Sequence, residues 1–257
     1  MIFRIYIRDC LLICILQIFV SCISYPDLNN ANRLELPDYC VKDSLIEYTG
    51  FVISYDEFRK VPRWVAYELT ANHTNGPFSR KDKTFRRDET VNLMQADDFD
   101  YKRSGWSRGH MAPAGDFRWS EKAIWDTFFY TNICPQNEVM NNNSWHILEK
   151  RVRFWAKKFG KIYVATGPVI GLNRFGVIGL NKIVVPDAFF KALLINKEGN
   201  YYAIGFYMEN ISESQSLKNC YMTIDELEEL CGLNFFPTLD DSVENDIEAS
   251  VNTNIWF

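Results

Sequence analysis

The amino-acid sequence predicts an α+β domain in which a mixed or antiparallel sheet core is flanked by helices. Three observations carry that expectation. Of the 257 residues, 47% are hydrophobic and 15% aromatic, which is enough to bury a sizeable core and too much for disorder. Short segments rich in β-branched and aromatic residues recur along the chain, as strands do, and segments of helical residue types stand between and after them. The length suits one large domain or two small ones, and there are no internal repeats or low-complexity tracts to suggest a solenoid.

Taken in order, residues 1–22 open with Arg4 and Arg8 and run into an apolar stretch from Cys10 to Val20. That stretch is short for a membrane span of about 20 residues and is placed like the core of a signal peptide. Its end, Phe19-Val20-Ser21-Cys22, resembles a bacterial lipobox. Export is therefore expected, to the periplasm or the cell surface with a lipid on Cys22 as membrane anchor; a secreted product and an uncleaved anchor are the alternatives. Residues 23–45 are polar and turn-rich and read as a tether, which leaves 46–257 as the folded domain.

Within that domain strands are expected at Val52–Tyr55, Trp64–Thr70, Ile162–Thr166, Lys182–Val185, Phe189–Ile195 and Tyr201–Tyr207. Asn141–Phe159 has helical residue types, a basic surface and no proline. Thr223–Leu230 opens with Thr-Ile-Asp-Glu, a capping box in which Thr223 and Glu226 satisfy free backbone N–H groups, and Gly232 is placed to end that helix.

The formal net charge of -5 argues against a polyanion partner until it is divided by region. From Glu213 onward ten acidic residues face the single base Lys218, a net of -9, so residues 1–212 carry +4. Lys150 to Lys161 alone holds Lys150, Arg151, Arg153, Lys157, Lys158 and Lys161 with no acid. A polyanion can dock on such a face while the acidic end points away; a merely solvated helix face is the plainer reading. Beyond the leader and Cys22 the cysteines are Cys40, Cys134, Cys220 and Cys231, with no CxxC pair, which speaks against a structural zinc site. A Cys220–Cys231 bridge and free thiols both stay open.

Histidine is scarce: His73, His110 and His146 are the only three, so a multi-histidine metal centre is excluded. His110 lies in Trp106-Ser-Arg-Gly-His-Met-Ala-Pro-Ala-Gly-Asp116, where glycines and Pro113 force tight turns. On an extended segment Arg108 and His110 project from one face, which sets a phosphate-binding guanidinium beside a candidate general base. His73 and His146 have no such neighbours and read as surface or structural.

A second pattern lies downstream. Asn141, Trp145, Glu149 and Arg153 recur every four residues and form one slanted stripe on a helix. A core-facing stripe should be apolar, whereas this one holds an amide, a carboxylate and a guanidinium; a surface pair of Glu149 with Arg153 at i,i+4 is the plainer reading. Just before it, Asn132-Ile-Cys-Pro-Gln136 suggests a rigid turn leading into the helix.

Together these pieces resemble the DNA/RNA non-specific endonuclease family. The family's Asp-Arg-Gly-His motif with a following Ala-Pro pair is matched by Ser107-Arg108-Gly109-His110 and Ala112-Pro113, and its Asn-X-X-Pro-Gln by Asn132 to Gln136. Its helix motif is matched by Asn141, Trp145, Leu148, Glu149 and Arg153 with all spacings kept. Trp64-Val-Ala-Tyr67, Thr166-Gly-Pro168, Val185-Pro186 with Phe190-Lys191, and Thr223 to Glu228 with Gly232-Leu233 extend the likeness over roughly residues 48–240.

The resemblance implies a ββα-metal catalytic motif. In it His110 is the general base and Asn141 the direct protein ligand of a divalent ion, Mg²⁺ or a relative such as Mn²⁺. Glu149 orients the ion's waters, Arg108 and Arg153 contact the phosphate, Asn132 supports the geometry, and Arg80 is a further arginine near the scissile phosphate. It also implies an enzyme that hydrolyses DNA and RNA, binds them through the phosphate backbone and leaves 5′-phosphate ends; a monomer and the homodimer common in the family both stay open. One departure is Ser107, where many members carry aspartate; a branch of the family shares the serine. The rival expectations are a catalytically silent nucleic-acid-binding surface protein, which the presence of both His110 and Asn141 disfavours, and a more restricted 5′-exonuclease or phosphodiesterase.

Overall fold

The computed structural model describes residues 33–39 and 44–257; the predicted leader with Cys22, and Cys40, lie outside the described residues. Among the described residues eleven strands occur in chain order: β1 Ser44–Tyr48, β2 Phe51–Asp56, β3 Val61–Thr70, β4 Ser107–His110, β5 Ile133–Gln136, β6 Lys161–Val169, β7 Val177–Ile178, β8 Ile183–Val184, β9 Ala188–Lys197, β10 Asn200–Glu209 and β11 Tyr221–Met222. The main sheet has seven strands in the order β1-β2-β3-β6-β9-β10-β11. Every neighbouring pair is antiparallel, which resolves the mixed-or-antiparallel expectation.

Both faces of the sheet are covered, and the period-two alternation of strand side chains distributes them. On β3, Val65 and Tyr67 point into one apolar layer while Trp64 and Ala66 point into the other. The first layer is closed by the helix His146–Phe159, which buries Leu148, Val152, Trp155 and Ala156 on one stripe. Burying a large apolar side chain of this kind contributes about 2 kcal/mol. The second layer is closed by the helix Ile224–Cys231, whose Thr223–Glu226 capping box and left-handed Gly232 cap form as predicted.

Several expectations are corrected. The folded body reaches back past residue 46, because Leu34 and Leu36 are buried in the second layer and Tyr39 packs on Trp64. Lys182–Val185 does not join the main sheet: Lys182 takes a positive φ of 54° and Pro186 follows, leaving the two-residue β8 paired only with β7. Asn132–Gln136 is not a turn, since Ile133–Gln136 is β5, paired with β4 so that Arg108 faces Pro135 and His110 faces Ile133. Asn141–Phe159 is not one regular helix. A π-helical turn over Asn141–Trp145 precedes the α-helix that starts at His146, so the stripe does not advance evenly from Asn141. Cys220 and Cys231 are free thiols, the first in one core layer and the second packed against the other, so the sheet separates them.

Gly109 is the tightest point of the β4–β5 pair. A Cβ there would overlap the side chain of Gln136, which is fully buried and has no room to retreat. Gly109→Ala is expected to destabilise the fold by about 1–3 kcal/mol through overpacking, read from the midpoint of denaturant unfolding.

Candidate active site

The hairpin β4–β5 and the helix that follows it frame a cleft lined by Arg80, Arg108, His110, Asn141, His146, Glu149 and Arg153. The two sequence patterns, more than thirty residues apart, thus meet in one place. Extended backbone on β4 does turn Arg108 and His110 to the same side, and the helix brings Asn141, Glu149 and Arg153 opposite. Trp145, the apolar member of the stripe, is buried behind them, and its indole N–H donates to the His110 carbonyl at 3.4 Å.

His110 is 9% exposed, flanked by Phe85 and Phe128 with ring centroids 5.1 Å away in each case, and its Nε2 has no hydrogen-bond partner. Burial, reinforced by the Arg80 cation and opposed by Glu149, pushes its pKa down to about 4. The imidazole is therefore neutral near pH 7 and keeps a nitrogen lone pair available to take a proton. Arg80 makes no side-chain hydrogen bond or ion pair among the described residues and rests over the Phe128 ring at 5.9 Å. Arg108 is held from behind by Asp98, at 2.6 Å, and by the Tyr130 hydroxyl, which accepts at 3.2 Å.

Arg153 does not pair with Glu149. Its Nη1 donates to Asp116 Oδ1 at 2.7 Å, and Tyr67 donates to the other Asp116 oxygen at 2.9 Å. Asp116 has no solvent exposure, and burial raises its pKa against the pull of Arg153. Glu149 instead faces His146, whose Nδ1 is 3.7 Å from Oε2. Burial raises the Glu149 pKa, but His146, Lys191, Arg153 and His110 together outweigh it and hold the carboxyl below its usual range. Asn132 lies outside the cleft. It is fully buried, its Oδ1 accepts from Ala112 N and its Nδ2 donates to the Ala112 and Thr127 carbonyls, all at 2.9 Å, so it clamps the chain that leaves His110.

Sequence reasoning missed Asp116, which ends the glycine-rich segment after His110; His146 is exposed, in line with the surface expectation, and also lines the cleft. Sequence reasoning also gave Lys191 no role. Lys191 lies in a matched pattern, but nothing in spacing gives it or Asp116 a role, because each acts from another element through the core. His73 lies half-buried outside the cleft, stacked on Trp119 at 5.0 Å.

The donors present suit a hard divalent ion. The Asn141 side chain makes no hydrogen bond among the described residues and offers a neutral oxygen to the cleft, with an ionised Glu149 on the same wall. So sparse an oxygen set fits an ion that keeps most of its waters.

Comparison with known proteins agrees with this geometry. The model of the DNA/RNA non-specific endonuclease family matches residues 36–242. Mitochondrial nuclease EXOG of Danio rerio is 36% identical over 215 residues, which cover 78% of this chain and 63% of that protein. Mitochondrial endonuclease G of Homo sapiens is 33% identical over 203 residues, covering 74% and 68%. Nuclease C1 of Cunninghamella echinulata var. echinulata is 32% identical over 237 residues, covering 86% and 94%. The chain spans only 63% and 58% of the EXOG nucleases of Danio rerio and Xenopus laevis. A crystal structure of an EndoG/EndoGI complex superimposes with a TM-score of 0.74 at 29% identity, covering 81% of this chain and 90% of that one.

Two outcomes follow from the buried charges. Arg153→Met strands Asp116 in the core with Tyr67 as its remaining side-chain hydrogen-bond donor, and is expected to cost about 3–5 kcal/mol in thermal or denaturant unfolding. For His110, the unfolded chain takes up a proton below its ordinary pKa of 6.5 while the folded chain does not until about 4. Stability is therefore expected to fall as pH drops through that window, by up to about 3 kcal/mol, and His110→Gln should flatten this part of the stability–pH curve.

Proposed function

Because the chain belongs to the DNA/RNA non-specific endonuclease family, we propose that it is a nuclease that hydrolyses phosphodiester bonds within DNA and RNA with little sequence preference and leaves 5′-phosphate ends. The observation that carries this reading is a buried, neutral His110 with an unpartnered Nε2, facing the cleft that also holds Arg80, Asn141 and Glu149. In it His110 accepts the proton of the attacking water. Arg80 and Arg108 bind the phosphate by charge and by their fixed donor geometry. Arg153, already committed to Asp116, keeps the helix in register and lends the cleft positive potential.

The family is one of ββα-metal nucleases that work with a divalent ion, and Mg²⁺ is proposed here, held by Asn141 with Glu149 orienting its waters. When bound, the ion supplies positive charge to the phosphate oxygens and the leaving group. Contact through phosphates alone positions nucleic acid without reading bases, which accounts for indifference to sequence. Export, with a lipid anchor on Cys22, belongs to the same proposal and rests on the leader's sequence alone.

Supercoiled plasmid and structured RNA incubated with Mg²⁺ provide the test. Both are expected to be degraded, and His110→Ala and Asn141→Ala should each slow cleavage by about 10²-fold or more. Intact substrates across several divalent ions, or His110→Ala cutting at the wild-type rate, would refute the reading. An obligate 5′-exonuclease would leave the closed circle uncut.

A further inference from the structure

Lys191 stands in the interior of the sheet. On β9 it pairs in register with Thr166 of β6 and Phe206 of β10, and it has no solvent exposure. Lysine is almost never fully buried unless something holds its charge. A methionine would fill a similar volume without desolvating an ammonium, so packing alone gives no reason for lysine here.

Its contacts supply one. The ammonium donates to Thr166 Oγ1 at 3.1 Å, and the Thr166 hydroxyl spends its own hydrogen on the Phe190 carbonyl at 2.9 Å, which fixes that oxygen as an acceptor. Nζ also lies 4.4 Å from the centroid of the Trp145 ring, a cation–π contact away from water. Trp145 closes the π-helical turn that Asn141 opens, and its N–H reaches the carbonyl of His110. One buried cation therefore grips the ring that spans both arms of the cleft.

We propose that Lys191 is a positioning residue: from the middle of the sheet it holds Trp145, and through Trp145 it sets the turn bearing Asn141 against the strand bearing His110. The surrounding charges agree. Burial lowers the lysine's pKa to about 8, while Glu149 and Asp116 pull its proton on and Arg153 pushes it off. Two carboxylates and two cations balance in this buried set when Lys191 is charged. Lys191 in turn helps keep Glu149 ionised.

The proposal rests on the nuclease reading, and the test separates the two. Lys191→Met is compared with wild type, as full chains, in plasmid cleavage kinetics and in calorimetric titration with Mn²⁺ alone. The expected result is a folded protein with kcat lowered about 10–100-fold, KM within about twofold, and Mn²⁺ bound about tenfold more weakly, the range seen when groups behind metal ligands are removed. Should Lys191→Met not fold, Thr166→Val removes the ammonium's hydrogen-bond acceptor and is expected to move kcat and Mn²⁺ affinity the same way by less. Unchanged kcat and Mn²⁺ affinity in the folded variant, including a change confined to KM or melting temperature, would overturn the proposal. If wild type cuts no nucleic acid the nuclease reading fails, and the Mn²⁺ titrations alone decide on Lys191.

Discussion

The ion pair between Asp116 and Arg153 is the constraint on which the rest of the site depends. Asp116 lies on the chain leaving β4, Arg153 on the long helix, and Tyr67, the third member, on β3 of the main sheet. Three elements that share no local sequence are fastened at one buried point. Such a pair is a poor source of net stability, because desolvation offsets much of its attraction, but its directional bonds admit only one arrangement of its neighbours. That arrangement places the histidine strand across the cleft from the helix that carries Asn141 and Glu149.

Dryness around His110 follows from the same packing. Phe85 and Phe128 exclude water from the ring, and the imidazole stays neutral because burial, with the Arg80 cation beside it, disfavours the charged form. The charges of the cleft are sorted by depth. Asp116 and Lys191 lie buried behind it, Arg153 is held at its wall, and Arg80 alone among the arginines faces it without a hydrogen-bonded or ion-paired partner among the described residues. A phosphate arriving in the cleft would meet an uncommitted cation first and preorganised ones behind it, which favours electrostatic stabilisation without rearrangement.

Much of this was legible in the sequence, and the remainder failed for identifiable reasons. The long strands β2, β3, β6, β9 and β10 announced themselves through β-branched and aromatic runs, and the capping box through side-chain chemistry confined to four residues. The short strands β4 and β5 did not, because glycine and proline in their sequences mark turns locally while pairing is decided by the partner across the hairpin. The π-helical turn was invisible because composition does not record helix type, although the run from Asn141 to Trp145, with three asparagines and a serine, is poor in strong helix formers. His110, Arg108, Asn141, Glu149 and Arg153 were found because each belongs to a spaced pattern. Asp116 and Lys191 had no legible role, even though Lys191 lies in a matched pattern, because their partners lie in other elements and no periodicity records a contact across a core.

The topology has a consequence for the order in which the molecule comes together. β3 pairs with β6 directly, Thr70 against Lys161, so the whole of the cleft except its backing residues is an excursion of about ninety residues between two adjacent strands. The hairpins β1–β2 and β2–β3 before that junction need only short loops, whereas closing the junction must overcome the entropy of a long one. A ribosome releasing this chain would therefore expose finished hairpins well before it exposed a finished cleft. Topology alone would keep the cleft unassembled until the strand that closes this junction is available.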